Sequence, residues 1–216
     1  MNQPVLFVTG IDTDAGKTYA TAYLARLLAR EGRSVITQKF IQTGCTDSSE
    51  DIEAHRRLCG TGMLPEDLDH TTAPVIFTYP ASAQLAAAID GRTIDLAAIE
   101  RSTERLAARY DTVLIEGAGG LMVPVTDDYF TIDYVASHRL PTVLVTNGRL
   151  GSINHTILSL EALASRGIEV VAVVYNRHFD KDKTIAADTF GFIKRYLASH
   201  FPAAELIDMP DASQWD

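Results

Sequence analysis

The chain has 216 residues, of which 46% are hydrophobic, and 19 Lys and Arg stand against 28 Asp and Glu, for a formal net charge of −9. This length predicts a single domain, 1–216, around one hydrophobic core, and the negative charge excludes nucleic acid as an expected partner because it would repel the phosphate backbone. The sequence contains no apolar run of membrane-spanning length and no leader pattern, so we expect a cytoplasmic protein that binds no membrane.

Apolar, β-branched segments alternate along the chain with segments of helical periodicity. Strands are predicted at 5–9, 35–41, 112–115, 142–146 and 170–175, and helices at 17–31, 51–58, 94–110, 153–166 and 184–200. Several strands are almost continuously apolar, which is typical of parallel strands buried on both faces. The predicted fold class is therefore α/β, with a mostly parallel sheet flanked by helices in three layers.

The segment 43–80 interrupts this alternation. It is polar, rich in Gly, Pro, Asp and Thr, and too long for an ordinary connection between two elements. We expect it to carry function or a short helix at 51–58. Gly32 and Gly167 follow two predicted helices at the position where helices commonly end.

The sharpest motif is the sequence GIDTDAGKT at 10–18, which lies between the first predicted strand and the first predicted helix. In this context the backbone N–H groups of the turn and the helix N-terminus form a phosphate-binding loop, or P-loop. Lys17 is expected to contact the β- and γ-phosphates and Thr18 to ligate Mg²⁺. The spacing G-x₅-G-K-T is one residue longer than the common P-loop pattern.

This motif resembles the signature of the dethiobiotin synthetases, a family of P-loop enzymes. Five further segments match the family in the same order and extend the resemblance over nearly the whole chain. They are KFIQTG at 39–44, SEDIEAHRRL at 49–58, LIEGAGGLMVPV at 114–125, RLGSINH at 149–155 and VVYNR at 173–177.

The resemblance implies an ATP-dependent enzyme that uses Mg²⁺ and converts 7,8-diaminononanoate and CO₂ (or bicarbonate) to dethiobiotin through a carbamate and a carbamic–phosphoric anhydride. It also implies a homodimer with shared active sites. The tail of the substrate in one site would then reach the start of the helix at 153–166 in the other subunit.

The resemblance further assigns site residues, several of them to more than one role. It implies that Lys39, Lys17 and Thr13 are catalytic, and that Thr18, Asp51 and Glu116 ligate Mg²⁺. Its substrate residues are Thr13, Lys39, Thr43, Gly119, Gly151, Ser152 and Asn154. Its nucleotide residues are Asp14, Ala15, Gly16, Lys17, Thr18, Tyr19, Asp51, Glu116, Gly117, Ala118, Gly119, Asn176, Arg177, Pro210, Asp211 and Ala212.

From the residues alone, some of these positions have plain structural interpretations. Lys39 would be an exposed lysine, Asp51 part of a solvated charged run, Glu116 a solvated acid at a strand end, and Ser152 a helix N-cap. The histidines, His55 among them, would be surface or core residues.

Two other functions on the same scaffold are alternatives: a relative of cobyrinate-amidating enzymes, and an ATPase switch of the plasmid-partition or cell-division type. The former usually carry a glutaminase domain. The latter carry a second lysine where this chain has Asp12. Phe40 and Arg177 depart from the family pattern, where Pro and often Asp are usual, and Arg177 leaves the choice of base open.

Overall fold

Parallel strands form the centre of the molecule in the computed structural model, which describes residues 3–215. The strands are β1 (Val5–Gly10), β2 (Val35–Lys39), β3 (Gln42–Thr43), β4 (Ile76–Phe77), β5 (Thr112–Gly120), β6 (Thr142–Asn147), β7 (Val170–Asn176) and β8 (Glu205–Met209). The α-helices are α1 (Lys17–Arg30), α2 (Glu50–Cys59), α3 (Pro65–Leu68), α4 (Ala83–Ile89), α5 (Leu96–Ala107), α6 (Thr131–Ser137), α7 (Ser152–Ser165) and α8 (Lys183–His200). Short 3₁₀ helices follow β7 at Arg177–Phe179 and β8 at Ala212–Gln214.

Six strands form the main sheet in the order β2-β5-β1-β6-β7-β8, and every neighbouring pair in it is parallel. Successive residues of a strand point to opposite faces, and here both faces are apolar. In β5, Leu114 belongs to the cluster on one face, whereas Val113 and Ile115 belong to the cluster on the other. The sheet is therefore buried on both sides, as the continuous apolar runs predict.

Helices cover the two faces and complete three layers. The first face packs against α1 through small and aliphatic side chains such as Ala20, Leu24 and Leu28. The second face packs against residues of α4 to α8, including Ile99 of α5 and Leu160 of α7. The predicted fold class is confirmed. Within residues 3–215, no helix combines the length and the apolar character needed to cross a bilayer.

The sequence-based boundaries need several corrections. The predicted strand 35–41 ends at Lys39, and Gln42–Thr43 pairs instead with Ile76–Phe77 in a separate two-stranded sheet. The strand predicted at 112–115 continues to Gly120. The strand Glu205–Met209 and the helices α3, α4 and α6 were not predicted. Glycines follow α1 and α7 with φ of 86° at Gly32 and 65° at Gly167, which confirms the predicted helix ends.

Leu114 tests the contribution of the central strand to stability. Its side chain is 0% exposed, so Leu114→Ala should lower the free energy of unfolding by about 2–5 kcal/mol because it leaves a cavity under α1. Urea denaturation measures this change. The matched control is Leu68→Ala, at a side chain that is 71% exposed, which should cost less than about 0.5 kcal/mol. Equal losses in the two variants would contradict the assignment of the core.

Candidate active site

A cavity of about 400 Å³ lies at the carboxyl edge of the main sheet, where ligands collect in parallel α/β proteins. The loop after β1, the ends of β2, β5 and β7, and the segment after β8 all contribute to it. Most of the predicted site residues line it: Thr13, Asp14, Gly16, Lys17, Thr18, Tyr19, Lys39, Thr43, Asp51, Glu116, Ala118, Gly119, Asn176, Pro210 and Ala212.

The loop between β1 and α1 has the backbone conformation of an anion-binding turn. Asp14 and Gly16 have positive φ values of 55° and 92°, and α1 then begins at Lys17 without a side-chain cap. Its first N–H groups are therefore available to a ligand. The Lys17 ammonium donates to the Asp12 carbonyl at 3.0 Å, which holds it over the loop. Burial, followed by the charge of Lys39, lowers the pKa of Lys17.

A buried charge cluster lies beside this loop. Lys39 is directly opposite Glu116 in the register of β2 and β5, and α2 adds Asp51. The Lys39 ammonium lies 2.9 Å from Glu116 Oε1 and 2.5 Å from Asp51 Oδ2, and it also donates to the Gly117 carbonyl at 3.2 Å. Lys39 is 4% exposed and Glu116 is 1% exposed, so the expectation of an exposed lysine and a solvated acid is wrong.

Charge pairing controls the protonation of this cluster. Burial opposes ionisation of Glu116, but the ammonium of Lys39 and the hydrogen bond from His55 outweigh it and hold the pKa of Glu116 well below its usual value. Burial likewise opposes the charge on Lys39, and the carboxylates of Glu116 and Asp51 outweigh it and raise the pKa of Lys39. The cluster therefore holds an ammonium and a carboxylate side by side at neutral pH.

Three oxygen ligands of the kind that Mg²⁺ prefers converge at the start of α1. The Thr18 hydroxyl lies 3.1 Å from Asp51 Oδ1 and 3.0 Å from Glu116 Oε1. Within residues 3–215 no three His, Cys, Asp or Glu side chains gather as a metal site. Two carboxylates and a hydroxyl nevertheless fit Mg²⁺, which keeps several waters and takes few protein ligands.

Aromatic side chains surround the other end of the cavity. Tyr19 and the His178 ring are stacked with centroids 6.5 Å apart, and Trp215 meets Tyr19 edge-on at 6.3 Å. The amide of Asn176 is already engaged, since it donates to the Ala15 carbonyl at 3.4 Å and accepts from the His178 N–H at 3.0 Å. This end of the cavity thus offers ring faces in addition to one buried amide.

Some predicted residues lie behind the cavity wall. Ala15 and Gly117 take part through the carbonyls described above, and Asp211 accepts hydrogen bonds from Ser213. Arg177 is paired with Asp208 at 2.6 Å and Asp180 at 3.0 Å, and it lies over the rings of Tyr175 and Phe190. Its guanidinium is committed to β8 and to the loop before α8, and the base-contact role of Arg177 stays a prediction.

The predicted carboxylate-binding segment lies outside this cavity. Gly151 is the N-cap of α7, with a φ of 97°, and Asn154 is exposed in the first turn. Ser152 is 4% exposed and its hydroxyl donates to Asn147 Oδ1 at 2.7 Å, so the interpretation of Ser152 as the N-cap is wrong. The side chain of Ser152 faces the protein, whereas Gly151 and Asn154 face solvent.

Sequence reasoning missed several side chains of the site. His55 is 0% exposed and contacts Glu116, and its spacing was the available signal: it follows Asp51 by one helical turn, on the same face of α2. The cavity also includes Ile41, Gln42, His178, Phe179, Met209 and Trp215. Met209 and Trp215 lie in and after β8, which was not predicted, whereas Ile41 and Gln42 lie in the segment 39–44 that matches the family but had no role assigned.

The chain is similar in sequence to a described protein family and to named proteins. Residues 5–208 match the model of a family described as an AAA domain. The chain is 48% identical over 198 residues to "ATP-dependent dethiobiotin synthetase BioD 2" of Pasteurella multocida (strain Pm70), a match that spans 92% of this chain and 93% of that protein. It is 51% identical over 210 residues to "ATP-dependent dethiobiotin synthetase BioD" of Chlorobaculum tepidum (strain ATCC 49652 / DSM 12025 / NBRC 103806 / TLS), over 97% of this chain and 88% of that protein.

Among solved structures, the kinase domain of Escherichia coli tyrosine kinase ETK superposes with a TM-score of 0.48 and 15% identity, over 100% of this chain and 72% of that chain. This likeness is too distant to bear on function.

The low pKa of Glu116 predicts a pH effect on stability. Because the folded pKa lies below the unfolded value, ionised Glu116 contributes stability above the unfolded pKa of about 4.3, and this stability is lost as the pH falls through the folded pKa. Glu116→Gln should therefore lower the free energy of unfolding at about pH 7 and lose less of it than the unsubstituted protein between about pH 5 and pH 3. Urea denaturation over this range checks the difference.

The matched control for this pH effect is Glu205→Gln, at an exposed position of β8. It should leave the pH profile of the unsubstituted protein unchanged. A Glu116→Gln profile parallel to that of the unsubstituted protein would show that Glu116 does not contribute in this way.

Proposed function

Because this chain belongs to the family of ATP-dependent dethiobiotin synthetases, we propose that it is the ATP-dependent cyclo-ligase that makes dethiobiotin in biotin biosynthesis. It converts 7,8-diaminononanoate, CO₂ and ATP to dethiobiotin, ADP and phosphate. The observation that carries the proposal is a second buried cation, Lys39, in the same cavity as the loop lysine Lys17. A phosphate loop alone suits many reactions, whereas a second cation beside it suits an anionic carbamate.

ATP occupies the cavity with its phosphates on the loop 13–19. The N–H groups at the start of α1 and the Lys17 ammonium bind the β- and γ-phosphates. The base lies towards Asn176 and Pro210, between the ring faces of Tyr19 and His178. Stacking on such faces accepts every base, so the selection of adenine depends on the few polar groups near Asn176.

Thr18, Asp51 and Glu116 would hold Mg²⁺, since their oxygens converge next to the phosphate loop. When bound, it neutralises charge on the phosphate oxygens and on the transferring phosphoryl group. The Lys39 ammonium lies beside both carboxylates and offsets part of their combined negative charge.

The diamine lies between the loop and the end of β2, where Thr13, Thr43 and Gly119 line the cavity. One neutral amine attacks CO₂ and its nitrogen loses a proton to solvent, which gives a carbamate whose negative charge is stabilised by the ammonium of Lys39. The carbamate oxygen then attacks the γ-phosphorus in line, ADP leaves, and Lys17 stabilises the charge that develops on the phosphoryl oxygens. The second amine attacks the carbonyl carbon of the resulting anhydride, phosphate leaves, and the ureido ring closes.

The synthetase is favoured over the two alternatives. Both relatives described above carry the name dethiobiotin synthetase. Partition switches have a second lysine where this chain has Asp12. Asp12 is exposed, and its backbone carbonyl accepts a hydrogen bond from Lys17.

The active form is a homodimer. In each cavity, the tail of the substrate is contacted by the partner subunit. The start of α7 is absent from the lining of the cavity, although the part of the chain that the structure describes includes both. Near this helix, a hollow of about 270 Å³ is flanked by Met122 and Leu158, which are 52% and 62% exposed. Leu150 is 85% exposed in the loop before α7. These apolar side chains suit burial against a second copy.

Two wider features complete the proposal. One domain over 1–216 is supported by the main sheet, whose strands run from Val5 to Met209. A cytoplasmic location is supported by Cys45 and Cys59, which are both free thiols, as is usual in a reducing compartment.

The reaction itself provides the first test. We expect ADP release only when diaminononanoate, bicarbonate and Mg²⁺ are all present, because the carbamate is the nucleophile towards the γ-phosphate. Coupled measurement of ADP with each component omitted in turn checks this requirement. Full turnover without the diamine would reject the synthetase and favour an ATPase switch.

Shared sites are tested by mixing two inactive variants. Lys39→Ala should lower turnover by about 10²–10³-fold by removing the cation that faces the carbamate. Asn154→Asp places a negative charge at the start of α7, where the carboxylate of the substrate in the partner's site would bind, and so repels that carboxylate. An acid at a helix N-terminus does not destabilise the helix. After subunit exchange, mixed dimers have one site with both defects and one with neither, so up to about a quarter of the normal activity should return.

The control mixture pairs Lys39→Ala with Thr13→Ala, which affect the same cavity of the same chain. Each site of that mixed dimer carries one defect, and no recovery is expected. If exchange is verified by native mass spectrometry and the first mixture stays inactive, each site lies within one chain.

A further inference from the structure

The two oxygens of the Glu116 carboxylate have different partners. Oε1 faces the cavity, 2.9 Å from the Lys39 ammonium and 3.0 Å from the Thr18 hydroxyl. Oε2 faces the interior, 2.6 Å from His55 Nε2. His55 is 0% exposed, and the family signature quoted above gives it no role. One oxygen of the carboxylate is thus presented to the cavity, and the other is held from the interior side.

The hydrogen bonds of His55 run in one direction. The Glu116 carboxylate only accepts, so His55 Nε2 carries the proton. His55 Nδ1 lies 3.0 Å from the Thr37 hydroxyl, and that hydroxyl also accepts from the Arg56 guanidinium at 3.0 Å. Arg56 can only donate, so the Thr37 hydrogen is free to donate to His55 Nδ1. The order of donation is Arg56 to Thr37 to His55 to Glu116.

The far end of this chain of bonds is fixed by a buried ion pair. The Arg56 guanidinium binds both oxygens of Asp67 at 2.8 Å each, and Asp67 also accepts from the Thr72 hydroxyl at 2.8 Å. Arg56 and Asp67 are 5% and 8% exposed. A bidentate pair of this kind restricts orientation as well as distance. Arg56, the first donor in the series of hydrogen bonds that ends at Glu116, is therefore held in a fixed position.

His55 and Thr37 lie on the same two elements as groups that face the cavity. His55 lies one helical turn after Asp51 on α2, and Thr37 lies two residues before Lys39 on β2. Residues at these spacings share a face of their helix or strand. The same two elements thus supply both the groups that face the cavity and the groups that hold them.

We propose that His55 is a positioning residue, which fixes the Glu116 carboxylate so that Oε1 is presented to the divalent cation. The inference rests on the Mg²⁺ site of the proposed function. Hydrogen-bond partners of metal ligands restrict the ligand's rotation, and their loss typically weakens metal affinity by about 10–100-fold.

The test measures metal binding apart from catalysis. Free Mn²⁺ is followed by electron paramagnetic resonance while each protein is titrated in the presence of ADP. His55→Leu, which keeps bulk but removes the donor, should raise the Kd for Mn²⁺ by about 10–100-fold. His55→Gln, whose amide nitrogen can take the place of Nε2, should restore most of the affinity. The affinity for ADP without metal should change by less than about threefold, since the loop is untouched.

Two further variants separate positioning from folding. Thr37→Val removes the hydroxyl behind His55 and should weaken Mn²⁺ binding in the same direction by a smaller factor. His200→Leu, at an exposed histidine at the end of α8, is the matched control and should bind Mn²⁺ normally. Melting temperatures identify any variant that fails to fold. If His55→Leu fails to fold, the Mn²⁺ affinities of His55→Gln and Thr37→Val test the inference in its place.

Each outcome has a definite meaning. Normal Mn²⁺ affinity in a folded His55→Leu protein overturns the inference, as does equal damage in His55→Gln and His55→Leu. No Mn²⁺ binding by the unsubstituted protein removes the metal site and this inference with it. Dependence of ADP release on the diamine is a separate measurement, so the synthetase assignment can stand while the role of His55 fails.

Discussion

The buried contact of Lys39 with Glu116 and Asp51 is the constraint on which the site depends. Taking a charge out of water costs several kcal/mol, and the cost is offset only when an opposite charge and hydrogen bonds are in place. Lys39 meets this condition because β2 and β5 bring it opposite Glu116 and because α2 adds Asp51. β5 must therefore pair with β2 before the buried charges of Lys39 and Glu116 are tolerated, and the partly exposed Asp51 of α2 adds a second carboxylate. The register of the sheet at this edge is fixed by electrostatics as well as by the apolar pattern.

The two ends of the cavity are also in direct contact, through the end of β7 and the loop before α1. Gly16 has no side chain, and a Cβ there would collide with the amide of Asn176, which donates to the neighbouring Ala15 carbonyl. The end of β7 thus packs directly on the phosphate loop. Arg149 extends this contact, since its guanidinium lies 3.9 Å from the centre of the Phe179 ring, in the cavity wall. The loop before α7 is in this way connected to the aromatic end of the cavity.

Local sequence patterns were sufficient for the layers of the fold and the phosphate loop. Strands buried on both faces appear as continuous apolar runs, and a glycine-rich turn before a helix identifies Lys17 and Thr18 directly. β8 escaped prediction because it is only five residues long and Glu205 and Asp208 give it a polar composition. The helix α4 is short and rich in alanine, so its periodicity is weak.

The candidate site was predictable only as far as family motifs extend. Lys39, Asp51 and Glu116 were assigned by resemblance, since a pattern of single residues cannot distinguish a buried charge from a solvated one. The contact of His55 with Glu116 joins positions 61 residues apart, and no local signal reports such a pairing. The inward orientation of Ser152 likewise depends on Asn147, the last residue of the preceding strand.

The outer strands of the main sheet have a consequence for how the protein behaves at high concentration. An edge strand presents unpaired backbone groups that can recruit another chain and start aggregation. Beside β2 this risk is reduced at its last residue, because the Lys39 N–H donates to the Thr72 carbonyl in the segment before β4. At the opposite edge, β8 is short and carries the exposed acid Glu205, whereas Asp208 is paired with Arg177. The end of β2 is thus covered by a neighbouring segment, and association at the opposite edge is opposed by the shortness of β8 and the charge of Glu205.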